Sequence, residues 1–183
     1  MQVSDSVAQL IRSAVAGDQR AFAALHGRYA ALVHAVLLAR LPAAEAEDQV
    51  QEVFLVAWKK LAQLDDPAVF GAWLSAIARN RAVDCHRRRR PTEPLQDTLA
   101  DPRSSRSSDV AEAHHVLAAI QRLPEAYRET LVMRLCEGMS GPEIAEVTGL
   151  EPGSVRINLH RGMKLLRDEL GVVAIKDKVA AGE

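Results

Sequence analysis

The sequence predicts an all-α protein in which two small helical domains are joined by a flexible linker. Apolar residues recur at the 3.6-residue spacing of helices in almost every segment, and no convincing alternating strand pattern is present. Much of the 48 % apolar content is alanine and leucine, which favour helix. Residues 92–108 are instead rich in proline, serine and scattered charges, with too little apolar surface to fold. The 183-residue chain is therefore divided into a first domain at 1–91, this linker, a second domain at 109–171 and a tail at 172–183.

Four helices are expected in the first domain. The first covers about residues 5–16 and stops at Gly17, after which Asp18 can cap the second. Pro42 ends the second helix, because proline cannot continue one. The third has the clearest apolar stripe, and a turn with two aspartates and a proline separates it from the fourth. The apolar positions of the three later helices are Phe22, Leu25, Tyr29, Leu32, Val33 and Val36, then Val50, Val53, Phe54, Ala57, Trp58 and Leu61, then Phe70, Trp73, Leu74 and Ile77.

The fourth helix runs into a dense basic stretch at residues 79–90, RNRAVDCHRRRR. This stretch holds six arginines and one acid in twelve positions, although the formal net charge of the chain is only -1. Because an apolar helical stripe leads into it, the arginines are expected to be held in fixed directions. The planar guanidinium group of arginine can donate two hydrogen bonds at once to phosphate oxygens or to a guanine edge. A polyanion is therefore the first partner to consider. A solvated charge run without a partner is the alternative.

The second domain carries helix-start and helix-stop signals in close order. Asp109 with Glu112 forms a capping-box pattern, so a helix is expected to begin at Val110. Pro124 opens the next helix, since the first helical turn tolerates proline. That helix is expected to bury Leu131, Val132 and Leu135 before Gly138. Ser140 and Glu143 form a capping box for a very short helix at 142–148, which Gly149 ends. The last helix starts at Pro152 and ends at Gly171.

The last two helices predict a helix-turn-helix, because a short helix, a tight glycine-containing turn and a longer helix are its components. One side of the last helix is apolar and the opposite side is basic, as expected for an element that enters a major groove. A small protein-binding module with a solvated basic face is the alternative. The apolar side carries Val155, Leu159, Gly162, Met163 and Leu166; the outer side and its flank carry Ile157, Arg161 and Lys164 with Arg156, His160 and Arg167.

Cysteine content and hydropathy predict a cytoplasmic protein. Cys85 and Cys136 are far apart in sequence, which gives no disulfide framework and suits a reducing compartment; Cys136 is expected to be a small core residue. The N-terminus lacks the pattern of a signal peptide. The longest apolar run, residues 29–41, is shorter than a membrane span and carries His34 and Arg40.

Few groups in the chain suggest catalysis. The pairs Cys85–His86 and His114–His115 are the only candidates for a catalytic or metal site in the sequence. Neither pair has metal-ligand spacing or an evident third partner. We therefore expect no enzyme activity, no metal and no cofactor. Redox sensing through Cys85 remains an alternative.

Three segments together resemble a known family. The segments are AEDQVQEVFLVAWKKL, FGAWLSAIARNRAVDCHRRRR and LPEAYRETLVMRLCEGMSGPEIAEVTGLEPGSVRINLHRGMKLLRDEL. They resemble bacterial RNA polymerase sigma factors of the sigma-70 family, extracytoplasmic-function group. The resemblance covers about residues 22–90 and 116–170. It implies a sigma region 2 domain and a sigma region 4 domain, joined by the linker.

The resemblance also implies partners and contact residues. The implied function is to bind core RNA polymerase, direct it to specific promoters and help to melt the −10 region, under the control of an anti-sigma factor. Asp48, Gln51 and Glu52 match the positions that dock on the clamp helices of the large polymerase subunit. The residues that match −10 promoter contacts are Arg79, Asn80, Arg81, Asp84, Arg87 and Arg88, and those that match −35 contacts are Arg156, His160, Arg161 and Lys164.

Two departures from the family pattern bear on the −35 preference. Ile157 and Asn158 stand where family members often have serine or threonine and then arginine, and Gly141 replaces a larger residue at the start of the short helix. With fewer charges at these positions, we expect weaker sequence-independent contact with phosphates and a different choice of bases. The competing interpretation is an autonomous helix-turn-helix repressor or activator that binds DNA without polymerase.

Overall fold

The computed structural model describes residues 2–89 and 107–171, and both ranges are helical without strands. The all-α fold class is therefore confirmed for the described residues. We call residues 2–89 the N-lobe and residues 107–171 the C-lobe. The predicted linker, apart from its last two residues, and the predicted tail lie outside the described residues. The helices are α1 Gln2–Val15, α2 Gln19–Leu38, α3 Ala43–Lys60 and α4 Phe70–Arg89 in the N-lobe, and α5 Ser107–Arg122, α6 Glu125–Leu135, α7 Gly141–Thr148 and α8 Pro152–Glu169 in the C-lobe.

Helix α2 is the centre of the N-lobe, where it packs against α1, α3 and α4. By length and composition alone it is apolar enough to cross a membrane, but half of it is buried inside the fold. Leu25, Leu32 and Val33 are fully buried. An apolar helix that packs against three neighbouring helices is the expected core of a small bundle.

The predicted start of α2 is confirmed in atomic detail. Gly17 has a φ of 97°, and an Asp18 Oδ1 atom accepts hydrogen bonds from the backbone N–H groups of Arg20 at 2.8 Å and Ala21 at 3.3 Å. Two otherwise unpaired N–H groups of the first turn are satisfied in this way. Pro42 stands immediately before α3 rather than at the end of α2, which stops at Leu38.

The helix-turn-helix is formed by α7 and α8. Ser140 and Glu143 form the predicted capping box, with the Ser140 N–H donating to Glu143 Oε2 at 2.7 Å. Gly149 ends α7 in the left-handed region with a φ of 73°, where a side chain would be strained. On α8, Gly162 packs against α6 so closely that an added Cβ would meet the Leu131 side chain at 3.0 Å.

Three predictions about the C-lobe were wrong. Helix α5 begins at Ser107 rather than at the predicted Val110. Leu135 is 43 % exposed and Cys136 is also exposed, although the apolar spacing from Leu131 predicted burial. Leu135 is the last residue of α6 and Cys136 caps its end, so the apolar stripe runs past the neighbouring helices that cover it.

The two lobes pack against each other, with α2 and α4 contacting α6 and α7. Gly71 makes this contact close: a Cβ atom there would lie 1.8 Å from the backbone carbonyl oxygen of Val147. Gln121 of α5 adds polar contacts, since its Nε2 donates to the carbonyl oxygens of Leu38 at 2.8 Å and Leu41 at 3.0 Å. The sequence did not predict this interface.

Candidate nucleic-acid interface

Helix α8 presents one exposed basic face. Val155, Gly162 and Leu166 are buried on its inner side, which fixes the direction of the outer side. Among the residues that the structure describes, none forms an ion pair with the cations of this face, which leaves them available for phosphate groups. The predicted −35 residues lie together here: Arg156, His160, Arg161 and Lys164.

The predicted −10 residues of α4 do not share one face. Arg79 points toward the C-lobe, whereas Arg81 points toward α3, because two residues along a helix differ in direction by about 200°. Asn80, Arg87 and Arg88 are exposed. The remaining residue of the set, Asp84, is half-exposed and lies 3.7 Å from the Arg87 guanidinium.

Arg79 is held by a carboxylate of the other lobe. Its Nε and Nη2 donate to Glu129 Oε1 at 2.8 Å and Oε2 at 2.9 Å. This is a bidentate arginine–carboxylate pair, which is among the strongest hydrogen-bonding arrangements in proteins. The hydrogen bonds that Arg79 donates to Glu129 raise the pKa of Arg79 above its already high ordinary value. Arg40 joins the cluster, with its Nη1 2.8 Å from Glu129 Oε1 and its Nη2 bonded to Glu125. This cluster, Arg40–Arg79–Glu125–Glu129, is called the interlobe ion cluster below.

Two further ion pairs join the lobes. Arg28 of α2 pairs with Glu146 of α7. His34 Nδ1 lies 2.6 Å from Glu137 Oε1, and this hydrogen bond is the main reason that the pKa of His34 is raised, against the opposing effect of burial. Each pair joins a basic group of the N-lobe to an acid of the C-lobe, so the interface is electrostatically complementary.

The predicted polymerase-docking residues Asp48, Gln51 and Glu52 are exposed on one face of α3. Glu52 is not free, because Arg81 Nη2 lies 3.2 Å from its Oε2, and Arg81 Nε also donates to Gln49 Oε1 at 2.6 Å. A residue predicted to contact DNA and a residue predicted to contact polymerase therefore bind each other.

Sequence reasoning missed an apolar part of this α3 face. Leu55 is 52 % exposed one turn after Gln51. Both line a shallow recess with four aromatic rings of the N-lobe. The signal was present in the sequence, because Leu55 falls outside the buried stripe that continues through Ala57. The four rings are those of Phe22, His26, Phe54 and Trp58.

The groups considered for catalysis are not assembled into a site. Cys85 is buried, and burial together with Glu45 raises the pKa of its thiol, which lowers the thiolate population needed for oxidation. His114 and His115 are exposed on α5. Within residues 2–89 and 107–171, no group of three or more histidine, cysteine, aspartate or glutamate side chains is arranged to hold a metal ion.

Both lobes match known proteins. A family model described as Sigma-70 region 2 matches residues 25–92, and one described as Sigma-70, region 4 matches residues 114–166. RNA polymerase sigma factor CarQ of Myxococcus xanthus is 34 % identical over 87 % of this chain and 95 % of its own length. ECF RNA polymerase sigma factor RpoE of Cereibacter sphaeroides is also 34 % identical, over 84 % of this chain and 88 % of its own. The solved structure of CnrH in complex with the cytosolic domain of CnrY has a TM-score of 0.61 and 30 % identity, covering 91 % of this chain and 98 % of CnrH.

Proposed function

Because this chain belongs to the sigma-70 family of RNA polymerase sigma factors, in the extracytoplasmic-function group, we propose that it binds core RNA polymerase, directs it to specific promoters and helps to melt the −10 region. It would act in the cytoplasm and make or break no covalent bond. The single observation that carries the proposal is the basic face of α8 on a helix-turn-helix, which pairs with no acid of residues 2–89 and 107–171, in a chain that has a second basic helix.

Promoter recognition is divided between the two lobes in this proposal. The α8 face enters the major groove of the −35 duplex, where phosphate contacts supply affinity and a few base contacts supply sequence choice. Asn80, Arg87 and Arg88 of α4 contact the −10 region. Opening the duplex costs a few kcal/mol per unstacked step, which contacts to the separated strand would offset.

The packed lobes must separate before α4 can use all of its arginines. The Arg79 guanidinium cannot offer its Nε–Nη2 edge to a phosphate while Glu129 occupies those two of its five N–H donors. Arg81 is likewise engaged with Gln49 and Glu52. We therefore infer that the packed form is a resting state, and that core polymerase holds the lobes apart when it binds the chain.

Docking on polymerase is assigned to the exposed α3 face. Asp48, Gln51 and Glu52 would contact the clamp helices of the large subunit, with Leu55 supplying apolar contact area beside them. When this face binds polymerase, Glu52 would exchange its ion pair with Arg81 for contacts with polymerase. Arg81 would then be released for DNA. Docking and promoter contact are therefore coupled in this proposal.

Control by an anti-sigma protein is also part of the proposal. CnrH, whose fold this chain shares, has been solved in complex with the cytosolic domain of a second protein. A partner that binds both lobes of this chain at once would keep the interlobe ion cluster closed.

A run-off transcription assay with bacterial core polymerase tests the proposal. Wild-type protein should start transcription at a defined site, and Asn80→Ala with Arg87→Ala should reduce the product at least tenfold. These two exposed residues are preferred to Arg81, whose loss would also disturb Glu52. Arg20→Ala removes an exposed arginine of α2 and serves as the matched control. Equal transcription by the double variant and the wild type would contradict the assignment of α4.

Mobility shifts with and without core polymerase separate this proposal from an autonomous repressor or activator. A sigma factor in the packed form should bind promoter DNA weakly alone and tightly with polymerase. Tight binding by the purified chain, unchanged by polymerase, would favour the autonomous regulator instead.

A further inference from the structure

Ile157 is a large apolar side chain at the centre of the outer face of α8. It is 47 % exposed, and it lines a shallow recess with Arg156, His160 and Arg161. His160 and Arg161 lie three and four residues after it, which makes them its neighbours on the helix surface, and Arg156 directly precedes it. A single exposed apolar residue is common on proteins, but this one lies between two arginines and a histidine on the face assigned to DNA.

The fold does not need Ile157. The inner side of α8 is anchored by Val155, Gly162 and Leu166, and Ile157 points about 200° away from Val155. No buried neighbour is therefore left unpacked when this side chain is shortened. Its position is also suitable for base contact, because Ile157 is the sixth residue of Pro152–Glu169 and the N-terminal part of a recognition helix faces the base edges.

The chemistry of isoleucine selects among base edges. Its side chain has no hydrogen-bond donor or acceptor, so a polar base edge pressed against it would lose water without gaining a partner. Thymine is the one standard base that presents a methyl group in the major groove. The surrounding arginines and histidine can meanwhile bind the adjacent phosphates or a neighbouring guanine.

We propose that Ile157 is a specificity-determining residue that packs on the C5 methyl group of a thymine in the −35 duplex. This inference rests on the proposed function. The contact removes about one methyl-sized apolar group from water, which corresponds to roughly a fourfold gain in affinity for thymine over uracil at that position.

The test uses the full chain bound to core polymerase. A preferred −35 duplex is first selected from a random pool by the wild-type complex, and each thymine is then replaced by uracil, one position at a time, which removes only the methyl group. We expect roughly fourfold weaker binding at one position. For Ile157→Ala this loss should disappear at that position, whereas Ile157→Val should keep most of it.

His160→Ala is the matched control, because it alters the same face and should leave the uracil effect in place. Circular dichroism of Ile157→Ala should show wild-type helicity and melting. The inference is overturned by a selected duplex whose thymines all tolerate uracil, by a uracil effect that survives Ile157→Ala, or by a change in oligomeric state on Ile157→Ala, which would make this face a protein contact. If the complex selects no duplex at all, the proposed function itself fails.

Discussion

Arg79 of α4 and Glu129 of α6 are joined by two hydrogen bonds, at 2.8 and 2.9 Å, across the boundary between the lobes. The side chain predicted to meet the −10 region is therefore bound by the lobe predicted to meet the −35 region. Glu129 is only 15 % exposed and also binds Arg40, so the carboxylate is well enclosed by cations. A promoter phosphate would have to replace this carboxylate to bind the Nε–Nη2 edge of Arg79, which makes the interlobe contact relevant to function.

The first prediction concerns the charge on Glu129. Glu129→Gln keeps the shape of the side chain but removes the charge that holds Arg79 and Arg40. Hydrogen bonds to charged groups contribute about 1.5–3 kcal/mol to stability, and partial exposure of Arg79 reduces this contribution to about 1 kcal/mol. The open fraction, meaning the fraction of molecules whose two lobes are separated, should therefore rise roughly fivefold. Fluorescence transfer between dyes on the two lobes measures that fraction.

Glu112→Gln is the matched control for this variant, because Glu112 is exposed on α5, where the interlobe ion cluster does not extend. It should leave the dye distance unchanged. A Glu129→Gln protein as closed as the wild type would show that the interlobe ion cluster does not hold the lobes together.

The second prediction uses the close approach at Gly71. In Gly71→Ala the new Cβ would lie 1.8 Å from the Val147 carbonyl oxygen, a backbone atom that cannot turn away. The lobes should therefore separate while each keeps its helices. Small-angle scattering should report a larger radius of gyration, with unchanged helical circular dichroism.

Gly27→Ala is the corresponding control, since nothing lies within 4 Å of a Cβ at that position of α2. It should scatter like the wild type. Unchanged dimensions for both variants would mean that the lobes are not packed in solution as they are here.

The third prediction concerns pH. The hydrogen bond to Glu137 raises the pKa of His34 above its ordinary 6.5, and Glu47 acts in the same direction. A raised histidine pKa stabilises the packed form fully below 6.5, and the contribution is lost as the pH rises through the raised value. The open fraction should therefore increase as the pH is raised from about 6 to about 8.

The same dye-labelled protein gives the measurement. His34→Gln should remove most of this pH dependence, whereas His115→Gln, which changes an exposed histidine of α5, should retain it. If the two variants respond to pH alike, the His34–Glu137 pair is not the titrating contact.

The fourth prediction compares two glycines of the helix-turn-helix. Gly141 is the first residue of α7 and has open space around it, so Gly141→Ala should stabilise the C-lobe by about 0.5–1 kcal/mol. Gly149 has a φ of 73°, so Gly149→Ala should instead destabilise it by about 1 kcal/mol or more. Urea unfolding followed by circular dichroism measures both changes, and shifts of the same sign would contradict the backbone argument.

The fifth prediction tests the apolar part of the α3 face. Full burial of a leucine side chain contributes about 1.5–3 kcal/mol, so Leu55→Ala should weaken binding to core polymerase roughly tenfold. Val15→Ala removes a similarly exposed apolar group from α1 and should have little effect. Equal affinities of the two variants in a core-binding titration would exclude Leu55 from the docking surface.

Local signals in the chain were sufficient to predict most helix boundaries. Asp18, the Ser140–Glu143 capping box and Gly149 act within a few residues of themselves, so their effects follow from spacing alone. The outer face of α8 was predictable for the same reason, because helical periodicity determines which residues lie opposite Val155 and Leu166. Leu135 shows where this reasoning fails, since periodicity does not tell where a covering helix ends.

The amino-acid sequence by itself determined an all-helical protein with two basic helices, one of them in a helix-turn-helix. Only the tertiary structure decided how the charges are used. Arg79 and Arg81 are two residues apart in one basic stretch, yet one binds Glu129 of the other lobe and the other binds Glu52 of α3. The physical reason is that an ion pair depends on which side chains the packing brings within about 4 Å, and partners that are 29 or 50 residues apart leave no periodic signal in the chain.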